Sequence, residues 1–147
     1  MALKETISTL NELIETCKDG EQGFKTAAEA VRDPSVKQLF LQYAQQRSQF
    51  AAELQRQVSA LGGEPERSGS VTASLHRGWM NLKSAITGQN DASVIAAAEE
   101  GEDVAKTTYE KALRAELPLE VSRPVERQYA AVKEAHDRVR QLKQRAA

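Results

Sequence analysis

Four side chains that can carry charge stand where a packed helix ordinarily buries an apolar residue: Glu21, Arg47, Glu102 and His136. Around the first, Leu3, Ile7, Leu10, Ile14, Cys17, Glu21, Phe24, Ala28 and Val31 recur at steps of four and three, the spacing of one buried helical seam. Arg47 interrupts a seam of Val36, Leu39, Phe40, Tyr43, Phe50, Leu54, Val58 and Leu61 in the same way. Glu102 sits among Val94, Ile95, Ala98, Ala105, Tyr109 and Ala112, and His136 among Val125, Tyr129, Val132, Val139 and Leu142. Buried charges need partners. Two chemistries fit the set. In one, Arg47 bridges Glu21 and Glu102 while His136 and Tyr43, Tyr109 or Tyr129 complete the hydrogen bonds, giving an ion-paired layer that fixes helix register. In the other, Glu21, Glu102 and His136 hold one iron, manganese or zinc ion with water completing the shell, and the fixed charge of Arg47 counts against it.

Both need helices that bring the four positions to one height. The first long helix is expected from about Ala2 to Val31, with Asp33 capping the second and Pro34 in its first position. So short a connection makes the first two helices an antiparallel hairpin. Gly62 and Gly63 end the second helix. Residues 62–90 then form a crossover that opens on the linker-like GGEPERSGS and carries a short amphipathic helix, Val71 to Thr87, displaying Leu75, Trp79, Leu82 and Ile86. It is long enough to run beside helices of ~40 Å at 1.5 Å per residue, with Trp79 as its anchor. A third long helix follows the capping signal at Asn90 and Asp91 and stops before Pro118, and a fourth covers about Leu119 to Arg145. Glu21 lies ten residues before Val31 and Arg47 about twelve after the second helix begins, so they are level; Glu102 and His136 are nearly level by the same count. If the crossover makes the second and third long helices parallel, all four polar residues fall in one layer of a four-helix bundle. Gly20 and Gly23 each cost roughly 1 kcal/mol against alanine and imply close approach by another element, or a local irregularity.

Composition sets the outer bounds. A chain of 147 residues supports one domain, here the whole of 1–147, with a real core. Twenty basic and 21 acidic residues leave a net charge of −1, which gives no reason to expect nucleic acid or an anionic membrane. The basic last helix, with Lys133, Arg138, Arg140, Lys143 and Arg145, reads as a solvated face whose cations complement the helix dipole. The single cysteine, Cys17, reads as a small buried residue. His76, beside Arg77, lacks a second ligand at helical spacing and reads as a surface residue. The start lacks a signal-type apolar run and nothing approaches the ~20 apolar residues of a spanning helix, so a cytoplasmic location is expected. Phosphate-binding loops, nucleophile elbows and paired-cysteine zinc motifs are absent.

Two hairpins joined by a long crossover, with carboxylate and histidine facing inward at mid-height, are similar to the ferritin-like fold. The segments LIETCKDGEQGF (13–24), LHRGWMNLKSAITG (75–88) and ERQYAAVKEAHDRVR (126–140) resemble an uncharacterised bacterial family carrying a ferritin-like domain of unknown function. The resemblance implies a fold and no established activity. Ferritin-like metal proteins supply a Glu from each of two helices and a Glu-x-x-His from each of the other two. By that resemblance Glu21 and Glu102 match the single carboxylates and His136 one histidine. Lys133 stands where the paired Glu is required, and the second helix offers neither carboxylate nor histidine near Arg47. The expectation is therefore a non-enzymatic bundle, an interaction or stress-associated protein without a cofactor, whose partner is another protein or a second copy. The alternative is a mononuclear metal-binding protein or metal-dependent oxidoreductase using Glu21, Glu102 and His136. A third reading makes Trp79, Met80, Leu82 and Ile86 an exposed face for a membrane surface or a partner helix.

Overall fold

The protein, seen in a computed structural model, is described over residues 2–67, 77–88 and 90–146. Its elements are α1 (Leu3–Ala30), α2 (Pro34–Ala60), α3 (Leu82–Thr87), α4 (Asp91–Arg114) and α5 (Leu119–Ala146), with no strand among the described residues. The Asp33 carboxylate accepts from the backbone N–H groups of Ser35 and Val36, and Pro34 opens α2. Pro34 needs no donor there, and the cap satisfies two amides that the helix leaves free. At the other end of α2, Gly62 with φ +83 and the bonds from Gly63 N to Val58 O and from Gly62 N to Ser59 O make a Schellman ending.

Two apolar clusters fill the interior and reveal the direction of each helix. The lower cluster joins Leu10, Leu13, Ile14 and Cys17 of α1 to Ala51, Leu54 and Val58 of α2, Tyr109 of α4 and Val121 and Val125 of α5. The upper one joins Phe24, Ala27 and Val31 to Phe40 and Ala44, Trp79 and Leu82, Val94 and Ala98, and Val139. Hence α1 and α5 rise while α2 and α4 descend, and the crossover spans the bundle's length. Close backbone packing pairs α1 with α2, α1 with α4 and α4 with α5, with a narrower contact between α2 and α5; α2 and α4 lie diagonally opposite. At the upper end the Asp91 side chain accepts from the backbone N–H groups of Arg32 and Asp33, at 2.8 and 3.0 Å, and ties the start of α4 to the α1–α2 turn.

The crossover departs from expectation. Within the described part, only Leu82–Thr87 of the expected 71–87 helix is helical. Arg77 (φ 50) and Gly78 (φ +94) make a left-handed turn, so Trp79 precedes the helix instead of standing on it. The turn residue is glycine for a reason of space: a Cβ on Gly78 would lie 2.6 Å from Val104 Cγ2 and 2.8 Å from the Glu100 carbonyl. Leu75 and His76 lie outside the described residues.

Candidate functional site

The two clusters meet at the level of Gly20, Arg47, Glu102 and Ala135, and a polar layer lies there. Arg47 of α2 reaches across the centre to Glu102 of α4, with Nη1 to Oε1 and Nη2 to Oε2 both at 2.6 Å. The side chains are 1% and 0% exposed. A diagonal pair of helices is thus joined by a bidentate, charge-assisted fork, the geometry that suits guanidinium and carboxylate best. Burial opposes the charge on Arg47, and the Glu102 carboxylate more than offsets it, holding the guanidinium above its ordinary pKa. Nε donates to Gln46 Oε1 at 3.2 Å, and the guanidinium carbon lies 5.5 Å from the Phe24 ring centroid.

Room for so large a side chain comes from α1. Gly20 is buried, and a Cβ there would lie 3.2 Å from Arg47 Nη1 and 3.4 Å from its Cγ. The buried seam at this height therefore runs Cys17, Gly20, Phe24, and the absent side chain of Gly20 is replaced by Arg47. That corrects the expected place of Glu21. Its carboxylate lies on the outer side of α1 between Lys18 (3.6 Å) and Lys25 (3.3 Å), the three residues being spaced as helix-surface neighbours. The expectation counted glycine as a cost beside the site, when the glycine was itself the seam position.

His136 is buried but faces elsewhere. Its Nε2 lies 2.6 Å from Asp103 Oδ1 and its Nδ1 3.1 Å from Asp137 Oδ1, at the outer edge of the α4–α5 interface. The structure thus brings Arg47 and Glu102 together and gives Glu21 and His136 separate partners. The three residues of the alternative metal set lie in three environments, and among the described residues no group of three His, Cys, Asp or Glu side chains is placed to hold a metal ion.

A second polar chain runs just below the layer and touches all four long helices. Cys17 Sγ of α1 lies 3.1 Å from Tyr109 Oη of α4, Tyr109 donates to Gln128 Oε1 of α5 at 2.6 Å, and Gln128 Nε2 donates to Glu53 Oε1 of α2 at 2.6 Å. Proton positions follow from the ends. Glu53 and the Phe50 carbonyl only accept, so the Gln128 amide nitrogen faces them and its oxygen takes the Tyr109 proton. The Tyr109 oxygen is left to accept from the Cys17 thiol. Burial pushes that thiol up to about 11 and the Tyr109 phenol well above its usual range, so both stay protonated. Gln128 and Asp19 were not singled out from the sequence, yet both are buried. Gln128 falls between Val125 and Val132 on the α5 seam and was legible as a fifth interruption.

Trp79 is seated in a slot between two helix backbones. A Cβ added to Gly23 would lie 2.3 Å from its Cδ2, and one added to Gly101 would lie 2.1 Å from its Cε2. Both glycines are close-approach positions, and the Phe24 ring meets the indole edge-on at 5.0 Å between centroids. Arg77 holds the strap from outside, bonding Asp19 at 2.6 Å and also Glu15. Leu82 is buried as well, whereas Met80 is 70% exposed, so the set Trp79, Met80, Leu82, Ile86 is not one exposed face.

Among the described residues, no helix is long and apolar enough to cross a membrane. A comparison with curated proteins gives no significant match. One family model matches residues 5–115, which takes in α1 to α4 with Cys17, Arg47, Trp79, Glu102 and Tyr109 and leaves α5 outside. On that match, which covers well over half of its length, the chain belongs to the family described as Domain of unknown function (DUF2383).

Proposed function

We propose that the protein is a non-enzymatic, cytoplasmic, ferritin-like four-helix bundle of bacterial type that acts as an interaction or stress-associated module. In it a guanidinium stands where ferritin-like proteins hold metal. The observation that carries this reading is the Arg47–Glu102 fork: a cation of the protein's own, 1% exposed, uses both oxygens of the Glu102 carboxylate at the bundle centre. The up, down, down, up helix order and the full-length crossover support the ferritin-like assignment. The pair itself is sealed, its side chains 1% and 0% exposed, which supports a role carried by the surface.

Elemental analysis tests the proposal. Protein purified without chelator from cells supplied with iron, manganese and zinc is expected to carry only sub-stoichiometric metal. One equivalent of metal, retained in the wild type and lost in His136→Ala, would replace this reading with the mononuclear metal site of Glu21, Glu102 and His136.

A further inference from the structure

Two non-glycine residues among the described ones hold a left-handed backbone, Arg77 in the crossover and Glu116 in the joint between α4 and α5, and only the second lies in a short connection between two long helices. The end of α2 places glycine, Gly62, at its left-handed position, whereas the end of α4 places Glu116 there, at φ 58. For an L-residue with a full side chain that conformation is strained. The joint is also short. Only Ala115 to Pro118 separate α4 from α5, and the Pro118 carbonyl already caps α5 by accepting from Val121 N and Ser122 N.

The helix beyond this joint is held by contacts of an exchangeable kind. Its buried apolar stripe is mostly valine, Val121, Val125, Val132 and Val139, and the rest of its grip is polar: Gln128 to Glu53, Tyr129 to Glu110, His136 to Asp103, Lys143 to Glu99. All of these join α5 to α2 or α4 through side chains, and all can form equally well with another copy of the chain. The upper half of α5 also stands away from α2, leaving a cleft of about 550 Å³ between Leu39 and Tyr43 on one side and Lys133 and Arg138 on the other. The partner needs no surface that the monomer leaves uncovered.

We infer that α5 is an exchangeable helix, and that the partner this fold is built to take is a second copy of itself, each copy laying α5 on the α2–α4 face of the other. Opening the joint releases Glu116 from its left-handed conformation, and strained short hinges favour exchange. Leu117, buried in the closed joint, must be seated again in the open one. This inference stands apart from the reading of Arg47, since neither Arg47 nor Glu102 belongs to α5.

The test uses the full chain. Isotopically light and heavy protein are mixed in urea, refolded together at high concentration, and fractionated by size with light-scattering detection. A zero-length carbodiimide then joins Lys143 to Glu99, whose Nζ and Oε1 are 2.9 Å apart. Exchange predicts a dimer fraction in which half of the Lys143–Glu99 cross-links join a light to a heavy chain, while the monomer fraction gives none. Glu116→Gly, which relieves the closed joint, is expected to lower the dimer yield about tenfold or more, because each dimer opens two joints. Absence of a dimer, a dimer whose cross-links all stay within one isotope, or an undiminished yield in Glu116→Gly would each overturn the inference.

Discussion

The two hairpins meet along two grooves, and the chain treats them differently. The α1–α4 groove is filled. Trp79 lies between the backbones at Gly23 and Gly101, Arg77 clamps Glu15 and Asp19, and Asn81 bonds Glu100 at 2.7 Å. The α2–α5 groove closes only below, where Gln128 and Arg127 meet Glu53, and opens above into the cleft at Tyr43. The difference lies in residue size at matching heights. Glycines on both facing helices admit the Trp79 indole on one side, while on the other side Leu39 and Tyr43 face Lys133, Glu134 and Arg138, which keep their charged ends in water. Stability in this fold is therefore expected to concentrate in the centre and the filled groove.

The largest losses should come from the centre. Arg47→Ala leaves the Glu102 carboxylate buried and unpaired and is expected to cost roughly 3–5 kcal/mol by urea denaturation. Replacing both partners by methionine should recover most of that loss, because no charge then remains to be desolvated. A melting curve unchanged in Arg47→Ala would show that water reaches the pair. Trp79→Ala should cost about as much, roughly 3–5 kcal/mol, by emptying the slot. Gly101→Ala comes next, at about 1–3 kcal/mol, since its methyl would meet a rigid ring at 2.1 Å. Its sign should reverse in a Trp79→Ala background, where alanine's helix propensity returns about 1 kcal/mol. The same sign in both backgrounds would place the indole elsewhere.

Much of this architecture was readable in the sequence because it rests on periodicity and punctuation. The seams, the Asp33–Pro34 start, the glycine ending of α2 and the heights of Arg47 and Glu102 all follow from spacing. What spacing does not carry is which residue a glycine stands in for. Gly20 is a seam position occupied by Arg47, so a pattern that looks for side chains passed over it and assigned Glu21, one residue along and turned through about 100°. His136 failed for a related reason: its height was legible, but Asp103, the carboxylate beside Glu102, is the one on its side of α4. The left-handed pair Arg77 and Gly78 reads locally like the start of an amphipathic helix, and only the packing against Val104 and Glu100 requires a turn there.

Smaller effects separate the closed interior from the open cleft by pH. Cys17 keeps its proton in the folded chain up to about pH 11, against an ordinary value near 9. Above pH 9 the unfolded chain releases a proton that the folded chain retains, so unfolding is favoured and stability falls as pH rises. Between pH 9 and 10 the loss attributable to this thiol approaches about 1 kcal/mol, and Cys17→Ala should remove it. Tyr43, on the wall of the cleft, is pushed up to about 12 by burial and by Glu102, so its own contribution begins one unit higher.

The cleft itself should be nearly silent. Lys133→Ala and Glu134→Ala remove side chains that line it and are expected to change stability by no more than about 0.5 kcal/mol, because water already solvates them. A loss well above that figure would mean that the cleft is closed in solution by something these two residues hold. If that loss also grew with protein concentration, the closing element would belong to a second copy, and the contrast between the two grooves would belong to the monomer alone.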